Sequence, residues 1–425
     1  MQTVLSKLKI LFTERQLRNR LLFVLAALFM FRLLASIPLP GIDETKLNEF
    51  LFGNQLVGLF NLFSGGGLSN LSIVLLGVGP YITASIIMQL LTMMFPNLKE
   101  LYHESGEMGR KKFNNYTRLL TIPLAALQAF SLLVLFKRQG VFPDLTSFDM
   151  AVNICIAIAG SMLLMWIGEL VTQFGIGNGV SLVIFAGIVA ALPSSVSQFF
   201  FTFTASQLPT LILFVAVGLL VIAGVILVTE AERPIPVTYA RQVRVAGLTT
   251  KNANGTYLPL RLNHAGVIPI IFALSILLFP QLIANLLQAS ANGTLQSIAS
   301  GITAFLQNTW AYAATYFVLV VLFTYFYTAV TFDPKQIATN LQKSGAFVPG
   351  IRPGESTTQY LGSIVSRITI VGALFLGLIA VLPLIARAVT GISALTLGGT
   401  ALLIVVSVII DISRKLDAQI AMHEY

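Results

Sequence analysis

Long apolar runs recur from one end of this sequence to the other, and they restrict the fold more than any other feature. Each run is about 20 residues long, the length that an α-helix needs to cross a bilayer. Inside lipid, a single segment satisfies its own backbone hydrogen bonds only as a helix. Hydrophobic residues make up 56% of the chain and charged residues 10%, so we expect an all-α polytopic membrane protein. Ten transmembrane helices are predicted, near residues 21–37, 72–94, 117–136, 151–172, 179–193, 209–229, 264–287, 312–331, 364–386 and 395–411.

Lysine and arginine residues are distributed unevenly between the segments that connect these spans. With the N-terminus in the cytoplasm, the inner segments carry nineteen of them and the outer segments carry four. This bias agrees with the positive-inside rule and places both termini in the cytoplasm. Residues 1–20 are basic and amphipathic, and we expect them to lie on the membrane surface. No small-residue cleavage site follows the first apolar run, so the first helix is expected to be retained.

One apolar stretch, residues 56–95, differs from a simple span because glycine and proline interrupt it twice. The interruptions are Ser64-Gly65-Gly66-Gly67 and Gly79-Pro80. Each glycine lowers helix stability by roughly 1 kcal/mol relative to alanine. Broken backbone at membrane depth is tolerated only where protein covers it or where it lines an aqueous cavity. The stretch therefore indicates an enclosed cavity, and the alternative is a short outer loop before one plain span.

Two inner segments are long for so apolar a protein. Residues 231–263 contain alternating β-branched residues around Asn254-Gly255, a pattern typical of a β-hairpin. Residues 332–362 form the second loop, with three prolines and Arg352 near its tip. The basic charge of these loops has two explanations that the sequence leaves open. Cytoplasmic loops are normally basic and attract anionic lipid, or these loops dock a soluble partner or ribosomal RNA.

Residues that carry enzyme or metal chemistry are sparse. The three histidines do not fall at metal-ligand spacings, and the sequence contains no phosphate-binding loop and no nucleophile elbow. We therefore expect no metal, no cofactor and no enzymatic activity. Glu169 and Asp411 lie near the cytoplasmic ends of their spans, where we expect them to cap a helix or to reach the interface. An ion-coupled transporter usually needs an acid at the midplane, so a transporter is the weaker alternative, and a purely structural scaffold is weaker still.

Motifs spread over essentially the whole chain carry a family resemblance. They are IPLPGID at 37–43, FNLFSGGGLSNLSI at 60–73, GPYITASIIMQLL at 79–91, GEMGRKK at 106–112, YTRLLT at 116–121, MWIGELVTQFGIGNGVSLVIFAGIVAALP at 165–193, HAGVIPIIFALSILLFP at 264–280, TFDPKQIATNLQKSGAFVPGIRPGEST at 331–357 and GGTALLIVV at 398–406. Together they resemble the SecY/Sec61-alpha family of protein-conducting channels. The motif at 331–357 is the most specific of them.

The resemblance implies two pseudo-symmetric, inverted five-helix halves around an hourglass pore. The halves would be residues 21–200 and 201–411, with a cytoplasmic tail at 412–425. Residues 60–71 match a plug that the glycines would allow to swing away, and residues 72–94 match the second helix. The plug residues would be Phe60, Asn61, Leu62, Phe63, Ser64, Gly65, Gly66, Gly67 and Leu68.

The family closes its pore with a ring of aliphatic side chains. Such side chains offer a passing polypeptide no polar partner, and an empty apolar constriction dewets and resists ions. Two of the six matching residues are valines, which would make the ring slightly wider. Without the resemblance, each of the six would be interpreted as core packing. The matching positions are Val78, Ile82, Val180, Ile184, Ile271 and Ile404.

The family also opens sideways, between spans two and three on one side and spans seven and eight on the other. Signal sequences and nascent transmembrane segments leave there into membrane lipid. We expect Ser85, Gln89 and Thr92 to line this lateral gate, because their spacing places them on one side of the second helix. The alternative for these residues is hydrogen bonding between helices of a static bundle.

The partners that the resemblance implies bind the inner loops and the membrane face. In the family the loops dock the SecA motor ATPase or a translating ribosome, and SecE and SecG are the small membrane subunits. Arg352, in GIRPGE, matches the basic residue on which motor-driven activity depends. Arg241 and Arg244 offer further positive charge for docking. The resemblance implies a location in the bacterial cytoplasmic membrane.

Overall fold

A computed structural model describes residues 13–40, 64, 66–68, 71–103, 106–138, 140–142, 146–202, 208–239, 256–263, 266, 268–288, 292–390 and 394–424. Thirteen helices and three short strands make up this described part. The helices are α1 (Arg15–Ala35), α2 (Gly79–Met94), α3 (Pro96–His103), α4 (Gly106–Arg138), α5 (Ser147–Phe174), α6 (Gly179–Thr202), α7 (Leu208–Glu230), α8 (Ile268–Gln288), α9 (Gly293–Gln307), α10 (Thr309–Thr331), α11 (Pro334–Lys343), α12 (Glu355–Thr390) and α13 (Ala394–Glu424). The strands are β1 (Glu232–Tyr239), β2 (Thr256–Arg261) and β3 (Ala346–Phe347).

Each of the ten predicted spans overlaps one helix, and the predicted all-α membrane architecture is confirmed. The ten helices are α1, α2, α4, α5, α6, α7, α8, α10, α12 and α13. Among the described residues, five helices are by themselves long and apolar enough to cross a bilayer, and α2 with α3 would make a sixth span bent by 117°. Shorter apolar helices run over Gly179–Ala191 in α6 and Gly218–Glu230 in α7.

The second span begins later than the sequence pattern predicts. Residues 72–78 form turns, and the helix starts at Gly79 with Pro80 in its first turn. Proline suits a first turn because the N–H that it lacks would have no partner within the helix. Gly77 has φ +57°, a left-handed conformation that an α-helix does not contain. The apolar run therefore predicts burial at 72–78 correctly and helix there wrongly.

The turns that precede α2 are packed between two helices. We call residues 71–78 the turn segment. At its start, the Ile73 N–H donates to the Ile37 carbonyl just beyond α1 at 3.0 Å. On its other side, a Cβ added to Gly160 of α5 would lie 2.0 Å from the Ile73 carbonyl oxygen. The backbone of α5 therefore contacts the turn segment directly, which only glycine permits.

The helices form two bundles that correspond to the predicted halves. Helices α1, α2, α4, α5 and α6 pack together, and so do α7, α8, α10, α12 and α13. The bundles meet along two seams. In the first, which we call the α4–α8 seam, α8 packs against α2 and α4. In the second, the α6–α13 seam, the fifth span packs against the tenth, as two related halves require.

A small antiparallel sheet with strand order β2-β1-β3 follows α7 directly. β1 pairs with β2 in a register that places Val237 opposite Thr256, and β3 pairs with the end of β1. The strands expected in the first inner segment are therefore present. This register leaves residues 238–255 between the paired strands. Asn254-Gly255, predicted as the hairpin turn, lies outside the described residues.

The second inner segment is more regular than the loop that the sequence predicts. Residues 332–362 contain α11, β3 and the start of α12. Four side chains from the two inner segments are at most 2% exposed and belong to one apolar cluster, which we call the sheet core. These four are Ile235, Leu260, Val348 and Leu361. The two inner segments thus form one folded unit on the end of α12.

The tenth span continues without a break into the predicted tail. α13 runs to Glu424, so residues 412–424 are helical. Asp411 and Lys415 form an i,i+4 ion pair at 2.7 Å, and the Arg414 guanidinium donates to the Thr229 carbonyl at 2.6 Å. That carbonyl lies in the last turn of α7, where a cation is favourable because the helix dipole is negative there.

Candidate pore and lateral gate

The six predicted ring residues belong to one apolar cluster. They come from four helices and from both halves of the molecule. Five of them are 0–6% exposed, and Val180 is partly buried against the same cluster. An apolar contact between the two halves excludes water and offers ions no ligand. All six therefore belong to the apolar core to which both halves contribute, while their mutual contact and their closing of a pore stay predictions. The six are Val78 and Ile82 at the start of α2, Val180 and Ile184 of α6, Ile271 of α8 and Ile404 of α13.

Close contact between α5 and α6 positions two of the ring residues. A Cβ added to Gly179 would lie 1.9 Å from the Gly168 carbonyl oxygen, so the first turn of α6 rests on the backbone of α5. The Thr172 hydroxyl reinforces this contact: it donates to the Gly168 carbonyl at 2.8 Å and accepts from the Gly179 N–H at 2.9 Å. Val180 and Ile184 follow within this turn and the next.

Four of the predicted plug residues belong to the described chain, and all four are buried. They are Ser64, Gly66, Gly67 and Leu68. Their burial contradicts the alternative of a simple outer loop. Gly66 has φ +84°, which glycine adopts at no steric cost. The other predicted plug residues, Phe60, Asn61, Leu62, Phe63 and Gly65, lie outside the described residues.

Hydrogen bonds fasten the plug residues to the turn segment. The Ser72 N–H and the Ser72 hydroxyl both donate to the Gly67 carbonyl, at 2.8 and 3.0 Å. The Leu68 N–H donates to the Ser64 hydroxyl at 3.0 Å. A Cβ added to Gly67 would lie 2.8 Å from the Val74 carbonyl oxygen, so the glycine is required by the packing. The plug residues are therefore fastened to the turn segment, which ends at Val78, the N-cap of α2.

The three predicted lateral-gate residues hydrogen-bond within α2. Gln89 Nε2 donates to the Ser85 hydroxyl at 3.1 Å, and the Thr92 hydroxyl donates to the Gln89 carbonyl at 2.6 Å. Gln89 Oε1 is buried and accepts no hydrogen bond within the described ranges. A buried acceptor without a partner is costly, so a hydrogen-bond donor that came within reach of this oxygen would lower the free energy.

Hydrogen bonds that cross the α4–α8 seam come from residues that the sequence analysis missed. The Ser131 hydroxyl of α4 donates to the Leu282 carbonyl of α8 at 3.2 Å. The Arg138 guanidinium, at the end of α4, donates to the Gln288 carbonyl at the end of α8. Both acceptors are main-chain carbonyls, so no side-chain pattern in α8 marks them.

A signal for the polar side of this seam was nevertheless present in the sequence. Polar residues interrupt both apolar runs at helical spacing: Gln128 and Ser131 in α4, Gln281 and Asn285 in α8. Gln128 and Asn285 are each 5% exposed, and Gln281 Nε2 donates to Asn285 Oδ1 at 3.2 Å. Buried amides in a membrane helix are expensive, which singles out these positions.

Glu169 forms an ion pair, and its expected position near the cytoplasmic interface stays a prediction. Both of its carboxylate oxygens accept from Arg118 of α4, at 3.0 Å from Nε and 2.6 Å from Nη2. Arg118 also donates to Asn115 Oδ1 at 3.2 Å. The bidentate geometry fixes the orientation of α4 against α5. In the described part of the chain, no cluster of three or more His, Cys, Asp or Glu residues could hold a metal ion.

Arg352 is exposed on a tight turn beside the sheet core. Gly350 and Gly354 flank it with φ +83° and +103°. The Arg352 carbonyl accepts from the Thr357 hydroxyl at 2.9 Å, which fixes the backbone independently of the arginine side chain. Arg241 and Arg244, the other predicted docking residues, lie outside the described residues.

Comparisons with known proteins agree with this arrangement. The SecY family model matches residues 72–413. The protein translocase subunit SecY of Helicobacter pylori is 42% identical over 421 residues, which cover 97% of this chain and 98% of that relative. A solved SecY structure, of a protein whose plug domain stabilises the closed state of the translocation channel and maintains a membrane seal, is similar at a TM-score of 0.63 and 21% identity. The match covers 93% of this chain and 91% of that one.

A second solved structure extends the likeness to a canine channel. Sec61 in the canine ribosome-channel complex from the endoplasmic reticulum is similar at a TM-score of 0.60 and 19% identity, again over 93% of this chain and 91% of that one. The matches cover most of each chain, so this chain shares the fold of these channels. The resemblance drawn from the sequence motifs is confirmed, and this chain belongs to the SecY family of protein translocase subunits.

Proposed function

We propose that this chain passes unfolded secretory polypeptides across the bacterial cytoplasmic membrane and releases transmembrane segments sideways into lipid. As a SecY-family member it is a protein-conducting channel subunit and not an enzyme. The observation that carries the proposal is the apolar core to which both halves contribute the ring positions and to which Leu68 of the plug also belongs. A secondary transporter would need convergent polar groups at this position, and the six ring positions supply none.

The ring acts in this proposal as a loose aliphatic seal. Ile82, Ile184 and Ile271 present branched side chains from three different helices, and such side chains can yield to a chain of any sequence because they form no specific bonds with it. When no polypeptide is present, the same side chains pack together and exclude ions. Sealing and passage therefore use one set of contacts.

A crosslink through the ring tests this function. Cys155 is exposed on α5, so it is first replaced by serine. A single cysteine at Ile184, which is 1% exposed in the closed structure, is then combined with a precursor stalled in mid-export that carries its own cysteine. We expect a crosslink only with the motor and ATP. Export without a crosslink at any precursor position would remove Ile184 from the pore.

The described plug residues support a seal on the outer side of the ring. Gly67 is bonded to Ser72 of the turn segment, and that segment ends at Val78. We expect that deleting residues 62–68 opens a path for ions at rest, because buried groups are removed next to the constriction. Resting conductance in planar bilayers should rise while the protein still assembles. Conductance equal to that of the unaltered chain would contradict a plug at this place.

The α4–α8 seam is the proposed lateral gate. It joins the second and third spans to the seventh, and polar bonds cross it at a few points only. Ser85, Gln89 and Thr92 of α2 are proposed to line its inner wall. A segment that leaves through this seam would partition by hydrophobicity, since a charge at the helix centre opposes insertion by about 2.5–3.5 kcal/mol.

Partners are proposed from exposed surfaces and from the family. Arg352 and, by sequence, Arg241 and Arg244 would dock the SecA motor or a translating ribosome on the cytoplasmic face. SecE and SecG would be the small membrane subunits. α7 presents Leu219 and Leu227 at 62% and 71% exposure, an apolar face that lipid or such a subunit would cover. With both termini in the cytoplasm, the folded sheet lies on the side where these soluble partners act.

A further inference from the structure

The outer end of the α4–α8 seam is closed by a chain of polar contacts between three helices. α4 ends at Arg138 and α8 ends at Gln288, so the two helices finish side by side. The Arg138 guanidinium donates to the Gln288 carbonyl, and Gln288 Nε2 donates to the Thr303 hydroxyl of α9 at 3.3 Å. Arg138 therefore holds α4 to the end of α8, and α8 in turn is held to α9.

A second bond continues this contact toward the middle of the seam. Ser131 precedes Arg138 by seven residues, two helical turns, so both donors lie on one side of α4. The Ser131 hydroxyl donates to the Leu282 carbonyl at 3.2 Å, and both residues are fully buried. The donors of the two bonds, from Ser131 and from Arg138, both belong to α4, and both acceptors are main-chain carbonyls of α8. We call these two bonds the outer clasp.

The outer bond is placed where a cation interacts best with a helix. The last four carbonyls of a helix have no partner inside it, and they carry the negative end of the helix dipole. A guanidinium at this point satisfies an acceptor and interacts favourably with the dipole at once. A serine or glutamine at position 138 would satisfy at most the acceptor. The charge of Arg138 is therefore part of what holds the seam shut.

We propose that Arg138 is a specificity-determining residue that sets how hydrophobic a signal sequence must be to open the seam. The inference rests on the proposed function, since it assumes that segments leave between α4 and α8. Opening separates the two helix ends and breaks the bond from Arg138 to the Gln288 carbonyl. Transfer of a strongly apolar signal into lipid offsets the free energy lost when this bond breaks. Transfer of a weakly apolar signal offsets less of it. Weakening the clasp therefore favours weak signals selectively.

The test compares two precursors that differ only in the hydrophobicity of the signal, exported by the reconstituted full chain with its motor and ATP. Arg138→Gln should raise the ratio of weak-signal to strong-signal export by roughly three- to tenfold, the range expected for loss of a charged hydrogen bond at an exposed helix end. Arg138→Lys keeps the positive charge at the end of α8, so its ratio of weak-signal to strong-signal export should be close to that of the unaltered chain. Lys137→Gln, which removes the same charge one position earlier, should leave the ratio near that of the unaltered chain.

The readout distinguishes specificity from a merely structural role. If Arg138 only stabilised the fold, Arg138→Gln would lower the melting temperature and reduce the export of both precursors by the same factor, and the proposal would be overturned. An unchanged ratio, or an equal change in Lys137→Gln, would overturn it as well. Ser131→Ala provides a second, uncharged variant of the clasp, and it should shift the ratio in the same direction. Failure of the unaltered chain to export the strong-signal precursor would instead contradict the proposed function.

Discussion

Replacing Arg352 by glutamate is expected to stop motor-driven export while leaving the fold intact. The side chain is exposed, and the backbone of its turn is fixed by the bond from Thr357 to the Arg352 carbonyl, which the substitution does not touch. Charge reversal at a docking contact replaces attraction by repulsion, so the rate should fall on the order of tenfold or more. ATP-dependent export into inverted vesicles measures the effect, and the melting temperature of the purified variant reports on the fold.

A matched charge reversal separates Arg352 from the general basicity of the inner segments. Lys343→Glu changes an exposed lysine at the end of α11, close in sequence and in the same folded unit. If the loops were basic only because of membrane topology, the two reversals would have similar, small effects. Normal export by the Arg352→Glu variant would remove this arginine from the docking surface.

Gly160→Ala is expected to be the most damaging small substitution for the fold around the plug. The added Cβ would lie 2.0 Å from the Ile73 carbonyl oxygen and 2.8 Å from the Ile73 carbonyl carbon. Both are backbone atoms, so the clash cannot be relieved by a side-chain rotation. Overpacking typically costs about 1–3 kcal/mol, and here α5 must move away from the turn segment. We expect a lower melting temperature in detergent and a raised resting ion leak, because Val78 is carried by that segment.

Gly218→Ala is the control for this prediction. Gly218 also lies in a spanning helix, α7, but a Cβ there would contact nothing within 4 Å. Alanine favours a helix over glycine by up to about 1 kcal/mol, so this variant should be as stable as the unaltered chain or slightly more stable. Equal melting temperatures and equal leak for the two alanine variants would show that α5 and the turn segment do not touch as described.

The elements that the sequence predicts well are those set by local chemistry. Apolar length predicts the ten spans, because a run of about 20 apolar residues satisfies its own backbone hydrogen bonds in a bilayer only as a helix. The same apolar signal does not locate the start of a helix. Residues 72–78 are as apolar as a helix, yet the left-handed Gly77 and the proline at position 80 delay α2 to Gly79. The inner segment at 332–362 contains loop-forming prolines, but α11 packs Ile337 against the sheet core and β3 pairs with the end of β1.

The candidate site likewise contains residues that the sequence identifies and residues that it does not. Family motifs identify the ring positions, and the structure buries five of the six in the apolar core while Val180 packs against it. The residues that bond across the seam depend on which helices are neighbours and on carbonyl acceptors, and neither can be found from the spacing of polar residues. Ser85, Gln89 and Thr92 share one side of α2, as expected, yet their hydrogen bonds return to α2 itself.

The small sheet is built entirely from segments of the second half of the molecule, so a partner that binds the sheet acts directly on that half. β1 continues from α7, where the Leu262 N–H returns to the Ala231 carbonyl at 2.8 Å. The sheet core rests on α12, and a Cβ at Gly372 of that helix would lie 2.8 Å from the Leu262 carbonyl oxygen. Among the described residues, the sheet is therefore linked directly to α7 and α12, which both belong to the second half. A partner that pushed on the sheet would move the second half against the first, and that movement would occur along the two seams.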